Sequence, residues 1–520
     1  MNSALERFDD TAVALLGNLP LWRLRAVERV ELSKAFWSER EREIHVQPLR
    51  EVMKKDVDLR GNLMGLGAAS SDEVELVLPV TEFPKVPLLD LKITVDGQEV
   101  SRISRDESAR IQAHHLASLG RRAGLTKTVE PHMIDLLTFI FYFPHEPYEN
   151  IWEKHRVRFF DSLYAWQDAP HRYIKEEGQS FGFDAAGAWR EWHESVRRIP
   201  ELIEGYTSPD HLSGSQVPLI SLPYFYREMR DRADRGLIDG VPTANKVTLL
   251  LRNLSDLLFA AKDKVSDGAA DQVSRELSRR FLSTYFSYGH RWMAMTHCTV
   301  PLDRPFIIRT KANRAIYFTP HPQRKPSLWR QIRKEAWQMV PFADAETNHV
   351  SVRIEDTAVR LGSPKIYDEC RKEIKSAVDE EENTFELYFR QDSTRGRKER
   401  IYIKCPLRLT RFHSMMLYVV MAATALGFAL LLNRGLGDAG EAFVPAPGTR
   451  APKVDNGLTA KDATLILVPV ALAASFLLFK DSSTMSAWLR KVRQSILLVE
   501  LFLLLGTAFV LLFIHHVKTD

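Results

Sequence analysis

The most suggestive grouping of metal-ligating side chains in the chain is His290, His297 and Cys298. On a helix His290 and His297 would share a face, as a zinc pair requires. The surrounding stretch Trp292–Val300 alternates like a strand instead. On a strand His290 and Cys298 share a face and His297 points the other way. Isolated polar or core residues are therefore expected here rather than a zinc site. His114 and His115 are adjacent on a helical pattern and so diverge, and His145-Glu146 is followed by Glu149 where HExxH would need a second histidine. Gly65-x-Gly67 has Ser70 where a dinucleotide fingerprint needs its third glycine, and it leads into a strand rather than a helix. Walker A, GxSxG, kinase and CxxC patterns do not occur. Cys298, Cys370 and Cys405 are few and widely spaced, which offers no disulfide framework and fits a reducing compartment. No catalytic, cofactor-binding or metal-binding residue is assigned, and no cofactor is expected. The absence of a motif points away from an enzyme.

A different chemistry is concentrated later in the chain. Arg395, Arg397, Lys398, Arg400, Lys404, Arg408 and Arg411 face a single acid, Glu399, directly before a long apolar run. Such a cluster attracts anionic headgroups, at about 1 kcal/mol per cation close to the surface. The same cations would also fix the orientation of a span. The whole chain of 520 residues has 71 basic and 67 acidic residues and a net charge of +4, too balanced to argue for nucleic acid. Asp379–Glu382 reads as a solvated loop.

The elements that must position these cations are apolar. Residues 415–432, 463–479 and 495–514 match the length of a transmembrane helix, the second being interrupted by Pro469. Their flanking cations place the N-terminal region and the loop carrying Lys480, Arg490, Lys491 and Arg493 in the cytoplasm. The loop Asn433–Asp462, with Pro445, Pro447, Gly448 and Pro452, is expected outside as an irregular connector. The C-terminus, with His515 and His516 at the interface, is expected outside too. Ala423 and Gly427 form a small-xxx-small pair that packs within the bundle or, alternatively, drives homo-oligomerisation. Glu500 is an intramembrane acid about 7 Å beyond Ser495 at helical rise, able to reach the cytoplasmic face or pair with Arg493. At the N-terminus Asp9 and Asp10 precede the short stretch Ala12–Leu21, which is not the pattern of a signal peptide.

The soluble region divides by pattern. Residues 1–72 read as a helical N-terminal segment and linker, with Leu21, Leu24, Val27, Val30 and Leu32 as an apolar face and Glu39–Glu43 as a solvated charge run. Residues 73–288 read as a mixed hairpin and helical domain. In it, alternating strands meet at Asp96-Gly97, a type I′ turn signal, and Ser104-Arg-Asp-Glu107 forms a capping box. Helices are expected over Pro131–Pro144, within Ile151–Trp166, over Ala185–Arg198, over Val247–Ala261 as a core helix, and over Gln272–Tyr288. Residues 289–410 read as a juxtamembrane antiparallel β domain. Its strands are Trp292–Val300, Phe306–Thr310, His349–Ile354, Thr384–Arg390 and Arg400–Leu407, a polar turn spans Gln391–Gly396, and one helix spans Ser327–Met339. Residues 411–520 hold the three membrane helices.

Three pieces stand out: Phe83-Pro-Lys85 with Leu88-Leu-Asp-Leu91 and Asp96-Gly97, then Ala345-Glu-Thr-Asn-His349-Val-Ser-Val352, then Leu489-Arg-Lys-Val-Arg493 between spans. Together they resemble uncharacterised multi-pass membrane proteins of high-GC Gram-positive bacteria. The resemblance implies a similar layout and no known activity. The fold expected is an α+β cytoplasmic region with a juxtamembrane antiparallel β domain, followed by a three-helix transmembrane bundle in the inner membrane. The function expected is a membrane-anchored interaction or sensory module for a protein or small ligand, touching anionic headgroups and binding no nucleic acid. The alternatives are an oligomerisation-gated pore or membrane-perturbing effector, and a membrane-tethered enzyme of unrecognised type.

Overall fold

A computed structural model of the chain describes residues 2–32, 34, 37–68, 70–84, 88–125, 131–142, 234–235, 244–268, 270–316, 335–341, 344–367, 373–374, 378–381, 383–390, 400–441, 460–478 and 484–517. The helices are α1 (Asn2–Gly17), α2 (Leu19–Trp22), α3 (Leu49–Lys55), α4 (Val57–Gly65), α5 (Arg105–Arg122), α6 (Pro131–Tyr142), α7 (Ala244–Ser266), α8 (Gln272–His290), α9 (Arg411–Glu441), α10 (Ala460–Leu478) and α11 (Thr484–Val517). The strands are β1 (Arg23–Glu31), β2 (Trp37–Val46), β3 (Glu73–Pro84), β4 (Leu88–Val95), β5 (Gln98–Glu99), β6 (Arg291–Pro301), β7 (Phe306–Ala315), β8 (Glu335–Pro341), β9 (Thr347–Arg353), β10 (Val359–Leu361), β11 (Lys365–Tyr367), β12 (Val378–Glu381), β13 (Thr384–Arg390) and β14 (Arg400–Leu409). The protein is α+β, with antiparallel and mixed sheets.

The largest sheet has eight strands in the order β12-β13-β9-β1-β2-β7-β4-β5. Its centre is built from the N-terminal hairpin β1–β2, and β1 pairs in parallel with β9, from Arg25 opposite Thr347 to Glu31 opposite Arg353. The expectation of a helical N-terminal segment within residues 1–72 is therefore corrected over Arg23–Val46, and so is that of a purely antiparallel sheet after residue 289. The reason is visible along β2, where burial alternates strictly: Ser38, Arg40, Arg42, Ile44 and Val46 are buried, while Glu39, Glu41, Glu43 and His45 are only partly covered. That period of two is a strand signature. Leu24, assigned to a helical apolar face, is 40% exposed.

Two second layers cover the inner face of this sheet. Over one half lies the pair β3–β6 with α3 and α4. Val74, Leu76, Leu78, Phe83, Trp292 and Val300 pack there on Ile44, Val46, Ile93 and Ile308. Over the other half lies a four-stranded sheet in which β14 pairs with β8 on one side and with β10 and β11 on the other. There Ile401, Ile403, Cys405 and Leu407 pack on Val30, Val350, Val352, Phe385 and Leu387. Phe385, Leu387 and Phe389 of β13 and Ile401, Ile403 and Cys405 of β14 are the faces turned to this core. β3 is buried on both sides, because Val77 faces α1 and α5 through Ala12, Leu16 and Ile111.

Local signals hold where they are strongest. Asp96 and Gly97 have φ of 51° and 84°, the pair of positive values a type I′ turn needs. Ser104 caps α5 by accepting from the Glu107 amide at 3.1 Å. α6 and α8 occupy their expected places, and Leu250, Leu254, Leu258 and Ala261 of α7 are buried. Elsewhere strands replace other expectations. Residues 335–339, assigned to a helix, belong to β8, and residues 379–381, assigned to a loop, belong to β12. The segments Ile151–Trp166 and Ala185–Arg198, the turn Gln391–Gly396, Cys370, and His145 with Glu149 lie outside the described residues.

Two described helices are long and apolar enough to cross a membrane, over Ser414–Asn433 in α9 and Arg493–Val510 in α11. α10 contains Pro469 and carries only a shorter apolar stretch, Ile466–Ser475. α9 continues as helix through Glu441, so the first part of the loop expected after Asn433 is not irregular.

Candidate functional site

The junction between the β-rich body and the apolar helices is tighter than its sequence indicates. β14 ends at Leu409 and α9 begins at Arg411, leaving only Thr410 between them, and the Thr410 amide bonds to the Ala358 carbonyl at 2.9 Å. A second attachment comes from the other end of the helical set. Met485 and Leu489, in the first turns of α11, are buried in the same core as Ile401, Ile403 and Leu409. α9 and α11 run parallel from this point: Arg493 Nη1 donates to Ser414 Oγ at 3.1 Å, and deeper along the pair Val420 clusters with Leu497 and Leu501.

Of the seven residues expected to touch headgroups, Arg400, Lys404, Arg408 and Arg411 lie among the described residues. Arg395, Arg397 and Lys398 lie outside the described residues, and Arg400 opens β14. Lys404 is committed to Glu335 at 2.9 Å and lies over the Trp337 ring at 5.8 Å. Arg408 and Arg411 are exposed beside the helices. Gly427 is buried on a seam of α9 with Leu417, Val420, Thr424 and Leu431, and Ala423 is half-buried next to it. The 3-4-3-4 spacing of that seam is the pattern of helix-on-helix packing. Glu500 is half-buried in α11, with one carboxylate oxygen that has no hydrogen-bond partner among the described residues. Arg493, offered as its partner, engages Ser414 and stacks on Tyr418 at 4.9 Å instead.

The histidine candidates separate. His297 is exposed, 3.5 Å from Glu75 and edge-on to Phe8, while Cys298 is buried on the opposite side of β6 and burial pushes its thiol up to about 12. His115 bonds to the Tyr288 hydroxyl at 2.7 Å inside the helical layer, and burial, with Arg280 and Arg122 adding, pushes it down to about 3. It is therefore neutral, whereas His114 next to it is exposed.

The feature missed in the sequence is a buried relay of charges. On the inner face of the large sheet Glu28 of β1 sits directly opposite Arg42 of β2. Glu28 accepts from Arg40 at 3.1 Å and from Arg42 at 2.6 Å. Arg42 reaches on to Asp344 at 2.5 Å, and Asp344 accepts from Arg23 at 2.7 Å. Gln338 of β8 accepts from Arg40 at one end, and the Pro79 carbonyl of β3 accepts from Arg23 at 2.7 Å at the other. The order Arg40–Glu28–Arg42–Asp344–Arg23 alternates in sign and lies where the two hydrophobic cores meet. It ties the large sheet to both second layers. Burial alone would raise Glu28 and Asp344. For Glu28 the adjacent Arg42 and Arg40 outweigh it, for Asp344 Arg42 and Arg23 do, and both carboxyls stay below their ordinary range. Burial lowers Arg23 to about 10 against the pull of Asp344, leaving it charged at neutral pH.

A second polar bridge lies alongside. Glu82 of β3 accepts from Ser287 at 3.3 Å and lies 3.8 Å from Arg291, and Arg291 reaches the Tyr402 hydroxyl of β14 at 3.4 Å. Burial raises Glu82 above the ordinary carboxylate range despite Arg291. The signal for the relay was present in the alternation of Trp37–Val46. There Arg40 and Arg42 fall on the same face as Ile44 and Val46, which a reading of the segment as a solvated run discards.

The described residues contain no group of three or more His, Cys, Asp or Glu placed to hold a metal ion. No protein-family model, curated protein or solved structure matches this chain. The likeness carried by the short motifs around Phe83, Ala345 and Leu489 accordingly stays a sequence expectation.

Proposed function

We propose that the protein is a membrane-anchored module whose β-rich body responds to a bound protein or small ligand and passes the response to its membrane helices. In this reading α9, α10 and α11 form a three-helix bundle in the inner membrane, with the body in the cytoplasm and the C-terminus outside. The observation that carries it is the double attachment. One residue, Thr410, separates β14 from α9, and Met485 and Leu489 of α11 are buried in the core that β14 supplies. A tether needs neither the short link nor the second contact. With both, a shift of β14 within its sheet has no slack to absorb it before the helices. The apolar faces of α9 and α11, including Met416, Val419, Leu426, Val499, Phe502 and Phe509, are exposed and suit lipid.

The membrane part is tested by reporter fusions. Fusions at residue 450 and at the C-terminus should report outside, and fusions near residue 487 inside; the reverse pattern overturns the orientation. The coupling is tested by a flexible Gly/Ser insert after Thr410. Hydrogen exchange on the full chain in lipid should show α9 no longer sharing the protection of β14, with membrane retention unchanged. Unchanged exchange across the junction would reduce the helices to a tether.

A further inference from the structure

We propose that the end of the α9–α11 pair nearest the β-rich body is a binding site for the phosphate of an anionic phospholipid, with Arg493 as its fixed donor. The inference rests on the membrane reading and adds to it a located site built from distant segments. Ser414 and Arg493 are the first residues of the two apolar stretches, and they are hydrogen-bonded to each other. The contact therefore marks the level at which both helices pass from polar surroundings to hydrocarbon. Arg493 is held there twice, by Ser414 Oγ at 3.1 Å and by the Tyr418 ring at 4.9 Å. A guanidinium carries five N–H donors in a planar fork suited to phosphate oxygens. Among the described residues that single hydrogen bond is the one Arg493 makes, so most of the fork remains for a ligand.

The surrounding charge has one sign. Arg411 on α9, Lys491 on α11 and Arg408 at the end of β14 are all exposed. Between Arg400 and Tyr418, and between Thr484 and Val499, the sequence contains no acid. Immediately below this level Met415, Met416 and Val419 on α9 and Ile496, Leu498 and Val499 on α11 are exposed. A ligand that satisfies both the cations and the apolar faces has a phosphate head and acyl tails, which a free phosphate lacks. The sequence placed headgroup contact along residues 395–411. The proposed site centres instead on Arg493 of α11, held against Ser414 one helical turn after Arg411.

The test uses the purified full chain in zwitterionic detergent micelles, titrated separately with phosphatidylglycerol, with phosphatidylcholine of the same chains, and with inorganic phosphate. Native mass spectrometry counts retained lipid, and the melting temperature reports binding. Phosphatidylglycerol should be retained and should raise the melting temperature more than the other two. Arg493→Gln should weaken its binding about fivefold or more, the weight of one cation close to an anionic surface. Arg309→Gln, an exposed cation on the far face of the large sheet, should leave it unchanged. If Arg493→Gln does not fold, Arg411→Gln, exposed one helical turn before Ser414, carries the same expectation. Equal binding of the two lipids, equal binding of inorganic phosphate, or full binding by the variants overturns the site. Flotation with pure phosphatidylcholine vesicles separates the failures. A chain that floats without preferring phosphatidylglycerol loses this site and keeps the membrane reading, whereas a chain that does not float loses the membrane reading itself.

Discussion

Replacing Glu28 by Gln keeps the shape of the side chain and removes the charge at the second position of the buried relay. Glu28 is 1% exposed and is the carboxylate partner of both Arg40 and Arg42. Without it, Asp344 is the one carboxylate left in the relay, whose formal charge rises from +1 to +2 on counting Arg40, Arg42 and Arg23 against the acids that remain. Removing one partner of a buried pair costs about 3–5 kcal/mol, because the other charge is left uncompensated away from water. At about 2 °C per kcal/mol for a large domain, the melting temperature of the full chain in detergent should fall by roughly 5–10 °C. Arg42→Met should cost a similar amount. The double variant should lose about 1–3 kcal/mol less than the sum of the two, since each single change strands the other's charge. A Glu28→Gln protein within about 1 kcal/mol of wild type would refute the reasoning, because a change that small is typical of a solvated surface site. Strict additivity in the double variant would refute the coupling.

Other outcomes follow from the same structure. Glu28 and Asp344 have folded pKa values held below their ordinary values of 4.5 and 3.8, so their contribution is full above those values and is lost as pH falls through the lower folded ones. Acid melting of the wild type should steepen in that range and be flatter in Glu28→Gln. Glu82 has the opposite sign: its folded pKa is raised, so its contribution is full below 4.5 and is lost as pH rises through the folded value. Glu82→Gln should therefore be tolerated far better than Glu28→Gln at neutral pH, measured by the same melting assay. Gly97→Val should destabilise by more than about 1 kcal/mol while Gly97→Asn costs less, since position 97 has φ of 84° and valine resists that region. Met485→Ala should cost about 2–5 kcal/mol as a cavity in the core beneath β14, and hydrogen exchange should show α11 loosened there first.

The parts of this protein legible in its sequence are those whose cause is local. The Asp96-Gly97 turn and the Ser104 cap depend on neighbours a few residues away, and the strand Thr384–Arg390 shows in its own alternation of Phe385, Leu387 and Phe389. The segment 23–46 was not legible in the same way. Its apolar residues fit a helical face and its charges fit solvent. It becomes a hairpin because β9 and β7, hundreds of residues later, flank it and complete its hydrogen bonds. Propensity is a weak prior when such tertiary pairing is available. The charged residues of β2 are buried for the same reason, since Asp344 and Gln338 arrive from a distant part of the chain to receive Arg42 and Arg40.

What the sequence by itself determined was a polar body, a basic junction and apolar helices after it, because runs of hydropathy and charge need no partner to be read. Only the tertiary structure decided that the body is one large mixed sheet under two cores, that a relay of buried charge joins those cores, and that α11 returns to pack on β14. Those outcomes depend on contacts between segments far apart in sequence. The physical reason is that a charge has no fixed meaning until its surroundings are known. Arg42 in the core and Arg411 beside the helices are the same residue type, one neutralised by partners from other strands and one left facing out.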